Sequence, residues 1–191
     1  MGSDPQARRG VLRPRPTHPV SGYTPSAMTV ETLTIRAARA ADADAVASVL
    51  AEAFAEFQPL YTPAAYHATT PARQEIDRRI ADGPVWIVEH DGRIAGTVSA
   101  ILRDDGVYLR SMAVAPAARG CGVGGALLSQ VEEFATANNR QHLYLSTTPF
   151  LFSAIRLYER AGFIPTSAPP YELFGTPLFT MEKWSNSVDV R

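Results

Sequence analysis

The sequence predicts an α/β (α+β mixed) domain, with a central mixed, mostly antiparallel sheet flanked by helices, and three observations carry that reading. Short apolar runs of strand length interleave with stretches whose apolar residues recur every three or four positions. Two of the apolar runs, VWIVEH and IAGTVSAIL, flank Asp91-Gly92, a dipeptide suited to a tight antiparallel turn. A third run, VYLRSMAV, leads through a glycine-rich segment into a helical pattern.

The elements follow in order. ETLTIRAA alternates Leu33 and Ile35 with polar or small neighbours, as a partly buried strand does. Asp42 or Asp44 can cap the next helix, AVASVLAEAFAEF, where Val46, Leu50, Phe54 and Phe57 recur at helical spacing. QPLYTPAAYHATT reads as a loop with aromatics, after which Pro71 opens a second helix that Gly83 can end. After the hairpin, Asp104-Asp105-Gly106 turns the chain into VYLRSMAV. Strict alternation there puts Val107, Leu109, Ser111 and Ala113 on one face and Tyr108, Arg110, Met112 and Val114 on the other.

From Gly122, a helix carries Leu127, Leu128, Val131 and Phe134 as its apolar stripe, and the short strand HLYLST follows. Phe152 to Arg160 form a further helix, ended by Ala161-Gly162-Phe163. YELF and LFTMEKW, joined by Gly175-Thr176-Pro177, form a final hairpin.

A chain of 191 residues, 46% hydrophobic, can bury one core and is short for two. Residues 1–30 lack periodicity and read as a flexible extension, 31–185 as the domain and 186–191 as a short tail. Eighteen basic against 19 acidic residues give no global argument for nucleic acid. One cysteine and four dispersed histidines exclude a disulfide framework and a thiolate metal site, so no metal is expected. No apolar run reaches the roughly 20 residues of a membrane helix, and no apolar segment follows the N-terminal arginines as in a secretory signal, so no membrane partner and a cytoplasmic location are expected.

MAVAPAARGCGVGG, from Met112 to Gly125, places Arg119, Gly120, Gly122, Gly124 and Gly125 between a strand and a helix. Glycines let backbone N–H groups approach a phosphate, the helix N-terminus adds unpaired donors, and Arg119 adds a cation. The bland alternative is a tight structural turn. Gly120-x-Gly122-x-x-Gly125 also matches a dinucleotide fingerprint, but APAAR separates it from the strand, and LYLSTT ends the next strand without an acid. No Gly-Lys-Ser/Thr follows, which excludes a nucleotide-triphosphatase loop.

The chain here resembles the GNAT superfamily of acyl-CoA-dependent N-acetyltransferases. The family's signature (Arg or Gln, two residues, Gly, one residue, Gly or Ala) is met by Arg119-Gly120-Cys121-Gly122-Val123-Gly124. AIRLYERAGF resembles the family's later helix and its exit, and GTPLFTMEK its final strand; the likeness runs from about Thr32 to Trp184. The resemblance implies splayed central strands, with acetyl-CoA lying as cosubstrate between VYLRSMAV and HLYLST. The main chain of Met112, Ala113 and Val114 would meet the pantetheine amides. Arg119, Gly120, Cys121, Gly122, Val123 and Gly124 would hold the pyrophosphate, with Gly125 completing the loop.

The implied reaction is direct attack of a primary amine on the thioester through a tetrahedral intermediate. Tyr158 aligns with the family's usual general acid, and its phenol suits protonation of the departing sulfur. Two departures stand out. Gly106-Val107-Tyr108-Leu109-Arg110 lacks the carboxylate that many members use as base, and Leu151 stands where the family frequently has Asn, a contact Ser153 or Thr148 would have to replace. Cys121 has no local His or Asp for a nucleophilic arrangement. Trp86, Tyr61, Tyr66, Tyr108, Phe150 and Phe174 are candidate acceptor-side aromatics or core residues, and Arg110 suits a carboxylate or a surface ion pair. With no peptide-recognition module in sight, a small-molecule amine is favoured over a protein amine. A homodimer is compatible with the edge strands. The readings to set beside this are a CoA-sensing or interaction domain without chemistry, another acyl chain, or a protein acceptor.

Overall fold

Alternating apolar strands and amphipathic helices build a layered α/β domain in the computed structural model, which describes residues 33–185. The expected N-terminal extension and C-terminal tail lie outside the described residues. Eight strands form the sheet: β1 (Thr34–Ala37), β2 (Val85–His90), β3 (Arg93–Leu102), β4 (Val107–Val114), β5 (His142–Thr147), β6 (Ile164–Pro165), β7 (Tyr171–Leu173) and β8 (Thr176–Trp184). Their order is β1-β2-β3-β4-β5-β8-β6, with β7 also on β8. Every pairing is antiparallel except β4 with β5.

Among the described residues, five α-helices accompany the strands: α1 (Ala43–Phe54), α2 (Pro63–Thr69), α3 (Arg73–Asp82), α4 (Val123–Ala137) and α5 (Phe152–Arg160). Val46, Val49 and Leu50 of α1 and Ile76 of α3 close over Ile87 and Ala113 on one face of the sheet. On the other face, Leu127, Leu128 and Val131 of α4 bury against Val98, Leu109, Leu143 and Leu145, joined by Tyr158 and Phe163. Each such aliphatic side chain contributes roughly 2 kcal/mol by leaving water.

Several local expectations are corrected. Neither Asp42 nor Asp44 caps α1 through its side chain, because the Asp42 carboxylate instead accepts from Arg36 and from the Arg39 N–H. The helix ends at Phe54, and a 3-10 segment, Ala55–Leu60, carries Phe57. The aromatic loop contains α2, because the Thr62 hydroxyl accepts from the Ala65 N–H and Pro63 takes the first helical position. α3 starts at Arg73, two residues beyond Pro71. The last hairpin turns on Phe174 and Gly175, both at positive φ, so Thr176 and Pro177 belong to β8.

Candidate functional site

Strand β4 departs from strict alternation, and that departure organises the site. Thr97 pairs with Ala113 but Ser99 with Arg110, so β4 carries one residue more than β3 over this stretch. Ser111 takes φ 54 at the bulge. Up to the bulge, Val107 and Leu109 face the α4 side. Beyond it, Met112 and Val114 pack on that side, while Ala113 turns to α1. The expectation that Ala113 shares a face with Val107 and Leu109 is therefore corrected, because the extra residue inverts the parity of everything after it.

Parallel pairing of β4 with β5 covers only Val107–Leu109 against Leu143–Leu145. Beyond it the two strands run on without a shared ladder, so the β5-facing main chain from Arg110 to Val114 is left for other partners. Met112, Ala113 and Val114 lie on this stretch.

The loop after β4 enters α4 through Gly120 and Gly122, at φ 85 and 84, left-handed conformations that glycine adopts without strain. The first intrahelical bond runs from the Ala126 N–H to the Gly122 carbonyl at 3.0 Å, and no side chain caps the helix. The N–H groups ahead of it are the donors an anion uses at a helix N-terminus. Gly125 is exposed, and a Cβ there would meet nothing within 4 Å, whereas one on Gly124 would lie 2.7 Å from Leu157 Cδ2. Gly125 thus leaves room outside the helix, and Gly124 lets α4 approach α5. A shallow groove of about 340 Å³ runs past Gly125 between the two helices, lined in part by Leu128, Leu157, Arg160 and Lys183. The open N–H groups and the exposed Gly125 are compatible with a diphosphate at the loop. A larger depression of about 510 Å³ lies along the outer face of α4, away from the loop and the cleft.

Arg119 does not point along the loop. Its Nη1 meets Glu56 Oε1 at 2.5 Å and its Nη2 donates to the Ala53 carbonyl at 3.2 Å, tying the loop to the end of α1. Cys121 is half-buried, and its N–H donates to the Ala118 carbonyl. Val123 is fully buried in the α4 core, so only its main chain is open to a ligand.

Tyr158 sits on α5 at 8% exposure, its ring 6.0 Å from Phe163. Burial first, then the nearby Tyr61 and Tyr108, pushes its phenol well above the ordinary range. Tyr61 is itself buried, with its ring edge-on to Phe150 at 4.9 Å and 6.2 Å from Tyr66. Burial raises the Tyr61 phenol too, partly offset by the Thr148 and Thr69 hydroxyls. The Thr148 hydroxyl is fully buried beside Tyr61 and has no other hydrogen-bond partner. Two loops latch over this end of β5. The Thr62 N–H donates to Thr176 Oγ1 at 3.0 Å, the Thr62 hydroxyl to the Phe174 carbonyl at 2.7 Å, and the Tyr171 hydroxyl to Ser146 Oγ at 2.5 Å.

Not every candidate aromatic belongs here. Trp86 packs on Phe134 at 5.3 Å in the α4-side core, and Phe174 is exposed on its turn. Asp104 and Asp105 are exposed in the β3–β4 turn, where Asp105 accepts from the Tyr144 hydroxyl at 3.3 Å. Leu151 precedes α5 without a capping side chain, while its N–H donates to the Thr148 carbonyl at 3.2 Å. His142 stacks on Trp184 at 4.3 Å and reaches Glu182 at 2.9 Å, at the far end of β5. Among the described residues, no cluster of His, Cys, Asp and Glu is placed to hold a metal ion, and no helix is long and apolar enough to cross a membrane.

One group was only half visible in sequence. Arg110, just before the bulge, buries its Nε without a partner. Beside it, Arg79 of α3 donates from Nη1 to Ser111 Oγ at 2.6 Å and from Nε to Glu75 at 3.2 Å. The helical pattern placed Arg79 on α3, but nothing in the sequence aimed it at the bulge.

The acetyltransferase (GNAT) family profile matches residues 48–163. The chain is 40% identical over 80 residues to the N-acetylaspartate synthetase of Danio rerio, a match covering 41% of this chain and 28% of that protein. It is 33% identical over 87 residues to the peptidyl-lysine N-acetyltransferase YiaC of Escherichia coli K12, covering 46% of this chain and 54% of that one. Among solved structures, it is similar to the PaiA N-acetyltransferase of Thermoplasma acidophilum in complex with coenzyme A. That likeness has a TM-score of 0.69 and 15% identity, over 80% of this chain and 99% of the other. The ribosomal-protein-alanine N-acetyltransferase of Brucella melitensis gives 0.63 at 26% identity, over 79% and 99%.

Proposed function

From the premise that the chain belongs to the acetyltransferase (GNAT) family, we propose that it transfers an acetyl group from acetyl-CoA to the primary amine of a small molecule. The observation that carries this is the parting of β4 from β5 beyond Leu109 and Leu145, beside a buried Tyr158 and an open glycine loop. The β5-facing main chain of Met112, Ala113 and Val114 meets the amide groups of the cosubstrate's arm. The N–H groups of Gly120, Gly122, Val123, Gly124 and Gly125 take its pyrophosphate, the Cys121 N–H being held by the Ala118 carbonyl. Arg119 adds charge once it exchanges Glu56 for phosphate.

A neutral amine attacks the thioester carbonyl, passes through a tetrahedral intermediate and expels the thiolate. Tyr158 donates a hydrogen bond to the departing sulfur. Its raised phenol pKa keeps it protonated at neutral pH, and because it holds its proton more tightly than a thiol, it stabilises the thiolate by hydrogen bonding rather than by complete transfer. Deprotonation of the amine falls to ordered solvent, a backbone carbonyl or an acid from another segment, since β4 carries no carboxylate near its start.

The two curated relatives are named for acceptors of different size, a free amino acid and a lysine within a protein. The hydrogen bonds of Thr62 to Thr176 and Phe174 tie the aromatic segment to the last hairpin, and this support for a closed acceptor side favours the small one. Incubation with acetyl-CoA and a mixed panel of amines, amino acids and peptides, read by mass spectrometry with CoA release, tests the reading. Acetyl gain on a small amine is expected. Acetyl gain confined to peptides would replace the acceptor class, and no gain with acetyl-CoA bound would remove the activity.

A further inference from the structure

We propose that Arg110 and Arg79 form a carboxylate clasp on the acceptor side of the cleft, so that the amine this protein acetylates is a small amino acid held by its acid group. The inference rests on the acetyl-transfer reading above and narrows its acceptor.

Arg110 lies on β4 one residue before the bulge, on the α1 and α3 side of the sheet, opposite Ser99. Its Nε is buried and bonded to nothing, and its guanidinium has no ion-pair partner among the described residues. The neighbouring cation, Arg79, is only 14% exposed. The carboxylate beside them, Glu75, is shared by Arg79 and by Arg78 at 3.3 Å. Two guanidiniums therefore share a half-buried region in which only one is directly paired. An unpaired buried charge is costly, and removing its partner is among the more destabilising changes a protein suffers. Burial and the Arg79 charge both push Arg110 below its ordinary pKa, with Glu75 and Asp82 opposing only in part. An arrangement of this kind is completed by an incoming anion.

The anion is a carboxylate on the same molecule as the amine, because Arg110 stands on β4 directly before the stretch that parts from β5. Ser111 and Met112 follow it directly on the strand that parts from β5. Tyr108, two residues earlier on the same face, lies close enough to influence both Arg110 and Tyr158. A molecule anchored at Arg110 carries its amine along β4 toward the main chain at Met112, where the strand has left β5. The planar guanidinium fork suits a carboxylate's two oxygens, which lysine in its place would not match.

The test compares glycine, L-alanine, L-aspartate and L-glutamate with their α-carboxamides, by CoA release at saturating acetyl-CoA, in wild type, Arg110→Gln and Arg110→Lys. The acids are expected to exceed the amides by roughly tenfold or more in kcat/KM, the scale of a hydrogen bond to a charged group. Arg110→Gln should erase that preference by raising KM for the acids, with the amides within about twofold of wild type, and Arg110→Lys should restore part of it. Equal use of acids and amides, or an equal loss for both in Arg110→Gln, would overturn the clasp. Calorimetric titration with the four N-acetyl amino acids needs no turnover. Binding to wild type but not to Arg110→Gln sustains the clasp even if no amine releases CoA, an outcome that would sink the transfer reading alone. No binding to either protein overturns the clasp itself.

Discussion

Gly124 meets Leu157 so closely that a Cβ on the glycine would stand 2.7 Å from Leu157 Cδ2. The contact joins the first turn of α4, where the loop donors lie, to the residue preceding Tyr158 on α5. Gly124→Ala puts its methyl only against the far end of the Leu157 side chain, which turns aside, so the cost largely cancels the roughly 1 kcal/mol gained in helix propensity and stability changes by at most about 1 kcal/mol. Gly125→Ala adds its methyl to open space and should leave the protein as stable or up to about 1 kcal/mol more so. Urea unfolding of both variants decides it; a loss in Gly124→Ala well beyond about 1 kcal/mol would mean that Leu157 cannot turn aside and that the helices themselves are pushed apart.

Tyr158→Phe keeps the buried ring against Phe163 and removes only the hydroxyl. Transfer is expected to slow by about 10²-fold or more, with little change in acetyl-CoA affinity. Because burial raises the phenol pKa, the protonated form persists to higher pH than for a free tyrosine. The wild-type rate should hold through the ordinary phenol range near 10 before any alkaline loss attributable to this group. Pre-steady-state rates across pH check both points, and an unchanged rate in the variant would remove Tyr158 from the chemistry.

What was legible in the sequence was local. The bounds of α5 follow from its apolar spacing and its Ala161-Gly162 exit, and the Asp91-Gly92 turn from two residues that tolerate φ 51 and 73. The bulge was not legible, because Ser111 adopts φ 54 without the glycine that would announce it. Its consequence, the inversion that brings Ala113 under α1, therefore escaped strict alternation. α2 was hidden by two prolines that read as loop, although Pro63 opens a helix. The partners of Arg119 and Arg79 come from contacts 63 and 32 residues apart in the chain, which no local pattern encodes.

On the proposed reading, Glu56 competes with the cosubstrate for Arg119. Arg119→Ala is expected to weaken acetyl-CoA binding by about tenfold, the scale of one charge-assisted hydrogen bond. Glu56→Gln acts in the opposite direction. The pair is exposed, at 43% and 53%, so releasing it returns at most about 1 kcal/mol and tightens binding by up to about fivefold, with stability almost unchanged. Isothermal titration with acetyl-CoA checks both signs, and weaker binding in Glu56→Gln would mean that Glu56 aims Arg119 rather than restrains it.

Asp42 gives the fold an acid-sensitive tie at the start of α1. Arg36 of β1 donates to its two oxygens at 2.7 and 3.0 Å, and the Arg39 N–H adds a third bond at 2.7 Å. Chiefly through Arg36, these lower the carboxyl pKa from 3.8 to about 2. The folded state therefore binds the proton less readily than the unfolded chain. The contribution is complete above the unfolded value and is lost as pH falls toward about 2. With side chains 30% and 14% exposed, solvent screening reduces it to about 1–2 kcal/mol. Asp42→Asn should cost that much in urea unfolding at pH 7, and most of the gap from wild type should be gone by about pH 2. A gap independent of pH would assign the loss to the Arg39 N–H bond rather than to the charge.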